Sequence, residues 1–342
     1  MSANLDTSNG RVNFAFTGDR NDIWHREGHP MGDHETFDAW LTRSGLDFEV
    51  AKVDAIAVAP WLATTGPVEN FHFHARKDTG VILGHGTDAY QLVQPRETLE
   101  FVNRFVSVDD RFAFDTAGSL DGGARVWALA RFRQPQEVAG EKHVARLLCT
   151  TSFDGTSATK TKLIQTRVVC ANTMAVGLGE RTPTVSIRHN TRFDPQHAAN
   201  ELAKAAKEFE RYKQVGDAMA TVEITATDVS RFFKEILEIP FDAPAKDIST
   251  RKLNQFGDLQ RAFGTTRRER NEASGAPIHV WTALQAVTRY VDHDMGVKAS
   301  VANGDEAAAR FQSANFGAGE TKKQLAWNLL LPRVRDLVPV AA

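Results

Sequence analysis

Phe112-Ala-Phe-Asp-Thr-Ala-Gly-Ser-Leu120-Asp-Gly-Gly-Ala-Arg125-Val-Trp127-Ala-Leu-Ala-Arg131-Phe-Arg133 is the stretch on which the fold turns. Two apolar-rich runs flank Leu120-Asp-Gly-Gly123, and an Asp-Gly turn between such runs signals a β-hairpin. In the second run, alternation places Arg125, Trp127, Leu129, Arg131 and Arg133 on one face. Val126, Ala128, Ala130 and Phe132 take the other face, which suits a core.

Outward from this hairpin the N-terminal half continues β-rich. Upstream, Phe71 to Arg76 alternates with period two, Lys77-Asp-Thr-Gly80 supplies a turn, and Val81 to Leu83 completes a second hairpin. Between the hairpins, Gln94 to Val106 has helical spacing with Pro95 near its start. Downstream, His143 to Phe153 and Ala158 to Val168 read as strands joined by Asp154-Gly155, and Val169 to Leu178 as a helix. Nearer the N-terminus, a helix over Glu35 to Arg43 ends at Gly45 and Phe48 to Ala59 is a strand; the opening stretch to Pro30 has little regular structure. Beyond Asp194-Pro195 helical spacing prevails: a long Ala-rich helix to Val215, then Thr227–Leu237, Asp247–Phe263, Pro277–Val291 and Glu320–Leu331. Thr265-Thr-Arg-Arg-Glu-Arg270 reads as a basic loop between helices. The expected class is α+β: a mostly antiparallel sheet with packed helices over residues 1–190 and a helical region over 191–342, packed together or apart.

Composition sets limits. The 342 residues carry a formal charge of −2, with 42% apolar and 25% charged residues, which is ordinary globular usage. Any attraction to polyanions must therefore be local. Cys149 and Cys170 are the only cysteines, too few for a disulfide framework. Met1 to Arg20 is polar, so no secretory leader is expected, and no apolar run nears the ~20 residues of a membrane span. A cytoplasmic location follows as the expectation, with no membrane partner.

Several segments resemble the phage/plasmid-related protein family, a domain-of-unknown-function family of prophages, plasmids and integrative elements. They are Trp24-His25 with Gly28, Gly86 to Gln94, Thr116 to Ala130, Ser152 to Ala158, Arg167 to Met174, Ile187-Arg-His189, Ala286 to His293 and Asn315 to Glu320. They span most of the chain in order. The family has Pro before Trp-His, where this chain has Ile23, a difference confined to a local turn. The resemblance implies a mobile-element setting and brings no reaction with it.

Local charge gives the leading expectation. Residues 120 to 170 hold eight Lys/Arg (Arg125, Arg131, Arg133, Lys142, Arg146, Lys160, Lys162, Arg167) against four acids (Asp121, Glu137, Glu141, Asp154). Cations with an aromatic on an open sheet face supply phosphate neutralisation and base stacking, the needs of a single-stranded nucleic acid. Arg125, Trp127, Arg131, Arg133, Arg146, Lys160, Lys162 and Arg167 are the candidate contacts, and single-stranded DNA in replication or recombination is the candidate partner. A helix laid after three or four antiparallel strands is also similar to the core of the phage single-strand annealing proteins of the RecT and Erf groups, a likeness of strand order that implies self-association. The competing reading is structural: surface cations keep sheet edges apart, and Trp127 covers a second layer of core.

A different class remains open. The first 70 residues hold eleven Asp/Glu against five Lys/Arg, which suits a protein-binding or host-interaction factor that docks on a basic partner. Enzymatic readings are thinner, and no catalytic residue is assigned. His72 and His74 share a strand face, Asp292-His293-Asp294 and the His25, His29, His34 group add candidates, and none has metal-ligand spacing, so no metal is assigned. Cys170 needs a base such as His189 to act as a nucleophile, and a site built from His25, His189 and His293 cannot be assembled from sequence. Gly84-His-Gly86, Asp121-Gly-Gly123 and Gly317-Ala-Gly319 read as turns or caps. No glycine loop continues into Lys-Ser or Lys-Thr, and no cofactor is expected.

Overall fold

The computed structural model describes residues 5–8, 10–18, 27–32, 34–58, 61, 65–108, 110–167, 173–175, 184–187, 210–297, 306, 309–310, 313–314 and 317–338. Both helices and sheets are present, and the class is α+β. The chain divides into two units, each discontinuous in sequence: Met1–Arg133, Arg146–Leu163 and Pro183–Ala203 form the first, and Gln134–Ala145, Ile164–Thr182 and Lys204–Ala342 the second. The division is therefore not one cut near residue 190, because two long strands pass from one unit into the other.

In the first unit, β1 (Phe14–Phe16), β2 (His29–Pro30), β6 (Phe112–Leu120), β7 (Arg125–Phe132), β9 (Glu141–Ser152), β10 (Thr159–Arg167) and β12 (Thr184–Ile187) build the main sheet, with order β2-β1-β6-β7-β9-β10 and β12 paired to the start of β10. β1 and β2 are parallel, and the pairs β1–β6, β6–β7 and β7–β9 are antiparallel. The opening stretch thus contributes sheet, which its Gly- and Asn-rich composition hid. The expected hairpin forms across a short 3-10 turn, Asp121–Gly123, in which all three residues have positive φ.

One face of β6 and β7 is covered by α2 (Pro95–Val108). Beside it lies α1 (Phe37–Arg43), capped by the Thr36 hydroxyl, which accepts from Ala39 N at 3.2 Å. Trp40 of α1 stacks on Phe114 with centroids 4.8 Å apart. Gly45 ends α1 at φ +67°, close against Asn13, where a Cβ would sit 2.1 Å from Oδ1. A separate sheet, β3 (Val50–Ala57), β4 (Gly66–Arg76) and β5 (Ile82–Gly86), is antiparallel with order β3-β4-β5. Gly84 and Gly86 lie in β5 and are close approaches rather than turns; a Cβ on Gly84 would meet Phe153 O at 2.4 Å.

In the second unit, β8 (Gln136–Val138) pairs with the start of β9, and β11 (Thr173–Ala175) with the end of β10. The helix expected over Val169 to Leu178 is therefore a strand at residues 173–175, where ladder bonds to Ile164–Thr166 override a helical spacing. Helical residues 210–219 (α3), then α4 (Ala226–Ile236), α5 (Thr250–Glu269), α6 (Val280–Arg289) and α7 (Ala318–Leu330) follow, with the small ribbon β13 (Glu223–Ile224) and β14 (Ile278–His279).

Val280 to Thr288 are all buried, so α6 is the central helix, packed against α5 and α7. Trp281 donates to Glu141 Oε2 at 3.1 Å, and Tyr212 stacks on Trp327 with centroids 5.3 Å apart. The expected basic loop at Thr265 to Arg270 is instead the last turn of α5. Arg267 there pairs with Glu272 at 2.9 Å, and Arg270 with Glu141 at 2.6 Å. No helix among the described residues is long and apolar enough to cross a membrane.

Candidate polyanion-contact site

The arginines of the founding hairpin separate into two groups. Arg125 is buried; its Nη2 donates to Thr156 Oγ1 at 2.8 Å and lies 3.8 Å from Asp154 Oδ2. Trp127 is only 5% exposed, its ring 5.8 Å from that of Phe14 and its Nε1–H donating to Thr116 Oγ1 at 3.3 Å. Gly118 permits this approach, since a Cβ there would lie 3.1 Å from the Trp127 ring. Lys162 is 2% exposed, and Lys160 is half-buried where β10 pairs with β12. The expectation of one open cationic face with Trp127 as a stacking platform is corrected for Arg125, Trp127 and Lys162. Alternation says which residues share a face, and tertiary packing decides which stretch of that face is covered. The side chain of Arg167 lies outside the described residues.

The other end of the same face is different. Arg131 of β7 and Arg146 of β9 are cross-strand partners, and both are partly exposed. A β-bulge in β6, between Phe114 and Thr116, leaves Asp115 as an extra residue beside them. Phe114 keeps its place toward the helices and Thr116 toward Trp127, while the Asp115 carboxylate meets Arg146 Nε at 2.6 Å and Arg131 Nε at 3.6 Å. Arg111, at the start of β6, and Arg133, just past β7, are exposed neighbours: Arg133 N donates to Arg111 O at 2.8 Å and its Nε to Asp110 O at 2.9 Å. The Arg111 guanidinium lies 5.8 Å from the centroid of the Phe132 ring.

Four arginines and two acids, Asp110 and Asp115, therefore meet at this end of the sheet among the described residues, a balance of +2 by count. Planar guanidiniums held beside one another by ladder hydrogen bonds match successive phosphates or a bidentate anion. Sequence reasoning found Arg131, Arg133 and Arg146 and missed Arg111 and Asp115. The missing signal was the break of period at Phe114-Asp115-Thr116, where an acid interrupts an apolar alternation.

The remaining candidates do not assemble into a site. His72 is held between Asp54, at 3.1 Å, and Asp88, while His74 is buried with Nδ1 2.7 Å from Phe153 O. Among the described residues no group of three or more His, Cys, Asp or Glu is arranged to hold a metal ion. His25, Cys170 and His189 lie outside the described residues. Burial pushes the Cys149 thiol well up, away from nucleophilic use. Asp292, in the π-helical turn Tyr290–Asp294, pairs with buried Lys323 of α7 at 2.8 Å, a pin between two helices. Gly319, at the start of α7, fits close against Val291 and Ser313 O.

A family model described as Domain of unknown function (DUF932) matches residues 82–315, more than half of the chain and the whole of the arginine cluster. No curated protein and no solved structure matches the chain.

Proposed function

The chain belongs to the DUF932 family, a domain of unknown function, and we propose that it binds single-stranded nucleic acid through Arg111, Arg131, Arg133 and Arg146. The observation that carries this reading is that Arg131 and Arg146, cross-strand partners that both contact Asp115, stand partly exposed beside Arg111 and Arg133 at one end of the sheet. Arg111 and Arg133 lie beside the pair, both exposed. Because Trp127 is enclosed, recognition at this cluster is tracking of the sugar-phosphate backbone, without base stacking and without sequence preference. The setting that fits is replication or recombination of a mobile element in the cytoplasm, and strand annealing is the activity to assay once binding is measured.

The test is binding of a labelled single-stranded oligonucleotide over a salt series, beside Arg131→Ala/Arg133→Ala. Binding that weakens steeply with salt, with a shallower slope in the variant, supports the reading. No binding by the wild type at low salt removes it.

A second reading has its own observation. The arm formed by β3 and β4 exposes Ile56, Val58, Val68 and, at 84%, Trp61, a concentration of apolar side chains that suits a protein partner. A stable complex with a host protein, lost on Trp61→Ser, is what favours this reading over the first.

A further inference from the structure

We infer that the outer edge of β3 is a pairing surface for a second copy of this chain. Among the described residues β3 bonds to β4 on one side and to no strand on the other. The phase of its backbone is set at Glu49, whose carbonyl accepts from Lys77 N at 2.9 Å. Residues 49, 51 and 53 therefore turn their backbone groups toward β4, and 50, 52 and 54 turn theirs to the open edge. At Val50 that edge is closed by Gln94, which accepts from Val50 N at 2.9 Å and donates to Val50 O at 3.0 Å. Lys52 and Asp54 have no such cap among the described residues.

This edge is self-complementary. In an antiparallel pair centred on Val53, Lys52 faces Asp54 of the second copy and Asp54 faces its Lys52, each pair exchanging both backbone N–H···O bonds. Val53, 47% exposed, faces its own copy in the closer, non-hydrogen-bonded position. Sliding by two residues sets Lys52 against Lys52 or Asp54 against Asp54, and sliding by one breaks the hydrogen-bond phase, so charge and backbone select the same register. The Asp54 side chain is 80% exposed and keeps an oxygen open beside its contact with His72. Natural sheets shield their edges, whereas here the strand runs on into exposed Ile56 and Val58. In the pair, Ile56 lies opposite Val50 of the second copy. The contact is isologous, as a two-fold dimer requires.

The experiment is the molar mass of the full-length protein at micromolar concentration by light scattering, with a thermal melt of each variant to confirm folding. The wild type is expected at twice 37.8 kDa. Lys52→Glu and Asp54→Lys, each alone, oppose like charges and are expected at the monomer mass, while the double variant Lys52→Glu/Asp54→Lys returns to the dimer. Val53→Glu, which places two carboxylates on the axis, gives the monomer and stands in for either single variant that fails to fold. A monomeric wild type, a dimer indifferent to these changes, or a folded double variant that stays monomeric each overturns the inference.

Discussion

Asp6 and Asp115 each meet arginine within the first unit, and their surroundings are opposites. Asp6 is fully buried and accepts from Ser8, Asn13 at 2.7 Å, Ser119 at 3.1 Å and Arg76 at 2.5 Å. Arg76, 1% exposed, also pairs with Asp78 at 2.6 Å and lies 3.8 Å from the centroid of the Phe48 ring. Two carboxylates there close around one guanidinium, and the network tethers the N-terminal segment to β4 and to the β6–β7 turn through Gly122 O. At Asp115, itself buried, two partly exposed guanidiniums, those of Arg131 and Arg146, meet the carboxylate. The first arrangement encloses its arginine and holds the fold; the second leaves its two arginines partly exposed.

The largest effect that would break this contrast is at the buried network. Arg76→Met should leave Asp6 as an unpaired buried charge and cost roughly 3–5 kcal/mol of stability, measured by denaturant unfolding; a loss typical of a surface pair would show that the network is not closed. The same carboxyl gives a pH dependence. Burial pushes the Asp6 carboxyl up, but hydrogen bonds from Ser8 and Asn13 and the charge of Arg76 outweigh it and hold it below the ordinary carboxylate value. A depressed folded value contributes stability that is complete above the unfolded value and is lost as pH falls through the folded one. The melting temperature should therefore drop on acidification below about pH 4, and Asp6→Asn should flatten that drop while lowering stability at neutral pH.

Smaller effects sharpen the other side. Asp115→Asn removes the one shared carboxylate and should raise affinity for single-stranded DNA and steepen its salt dependence; unchanged binding would place the contact elsewhere. Trp127→Phe loses one hydrogen bond to Thr116, worth about 1 kcal/mol, and should leave nucleic-acid affinity unchanged. Weaker binding with retained stability would restore Trp127 as a stacking residue.

Local chemistry was legible where the chain signals it locally. The Leu120–Gly123 turn, Gly45 as a stop and the spacing of α4 and α6 all agree between sequence and structure. The failures share a cause in long-range contact. Thr173–Ala175 is a strand because Ile164–Thr166 lies beside it, and Arg270 is a helix-end residue because Glu141, far away in sequence, receives it. The division of the Arg125–Arg133 face into a covered and an open half depends on Phe14 and Asp154 reaching one end only, which alternation does not encode. Asp115 was passed over because the break of alternation at Phe114-Asp115-Thr116, which marks the bulge, was not read as one.

The central claim is that the open half of this face is an anion-tracking surface, and the salt dependence of single-stranded DNA binding tests it most directly. For Arg131→Ala/Arg133→Ala against the wild type, the slope of log affinity against log salt should become shallower by about 1.4, two contacts at roughly 0.7 each, with the fold unchanged by melting. Equal slopes and affinities for the two proteins would contradict it.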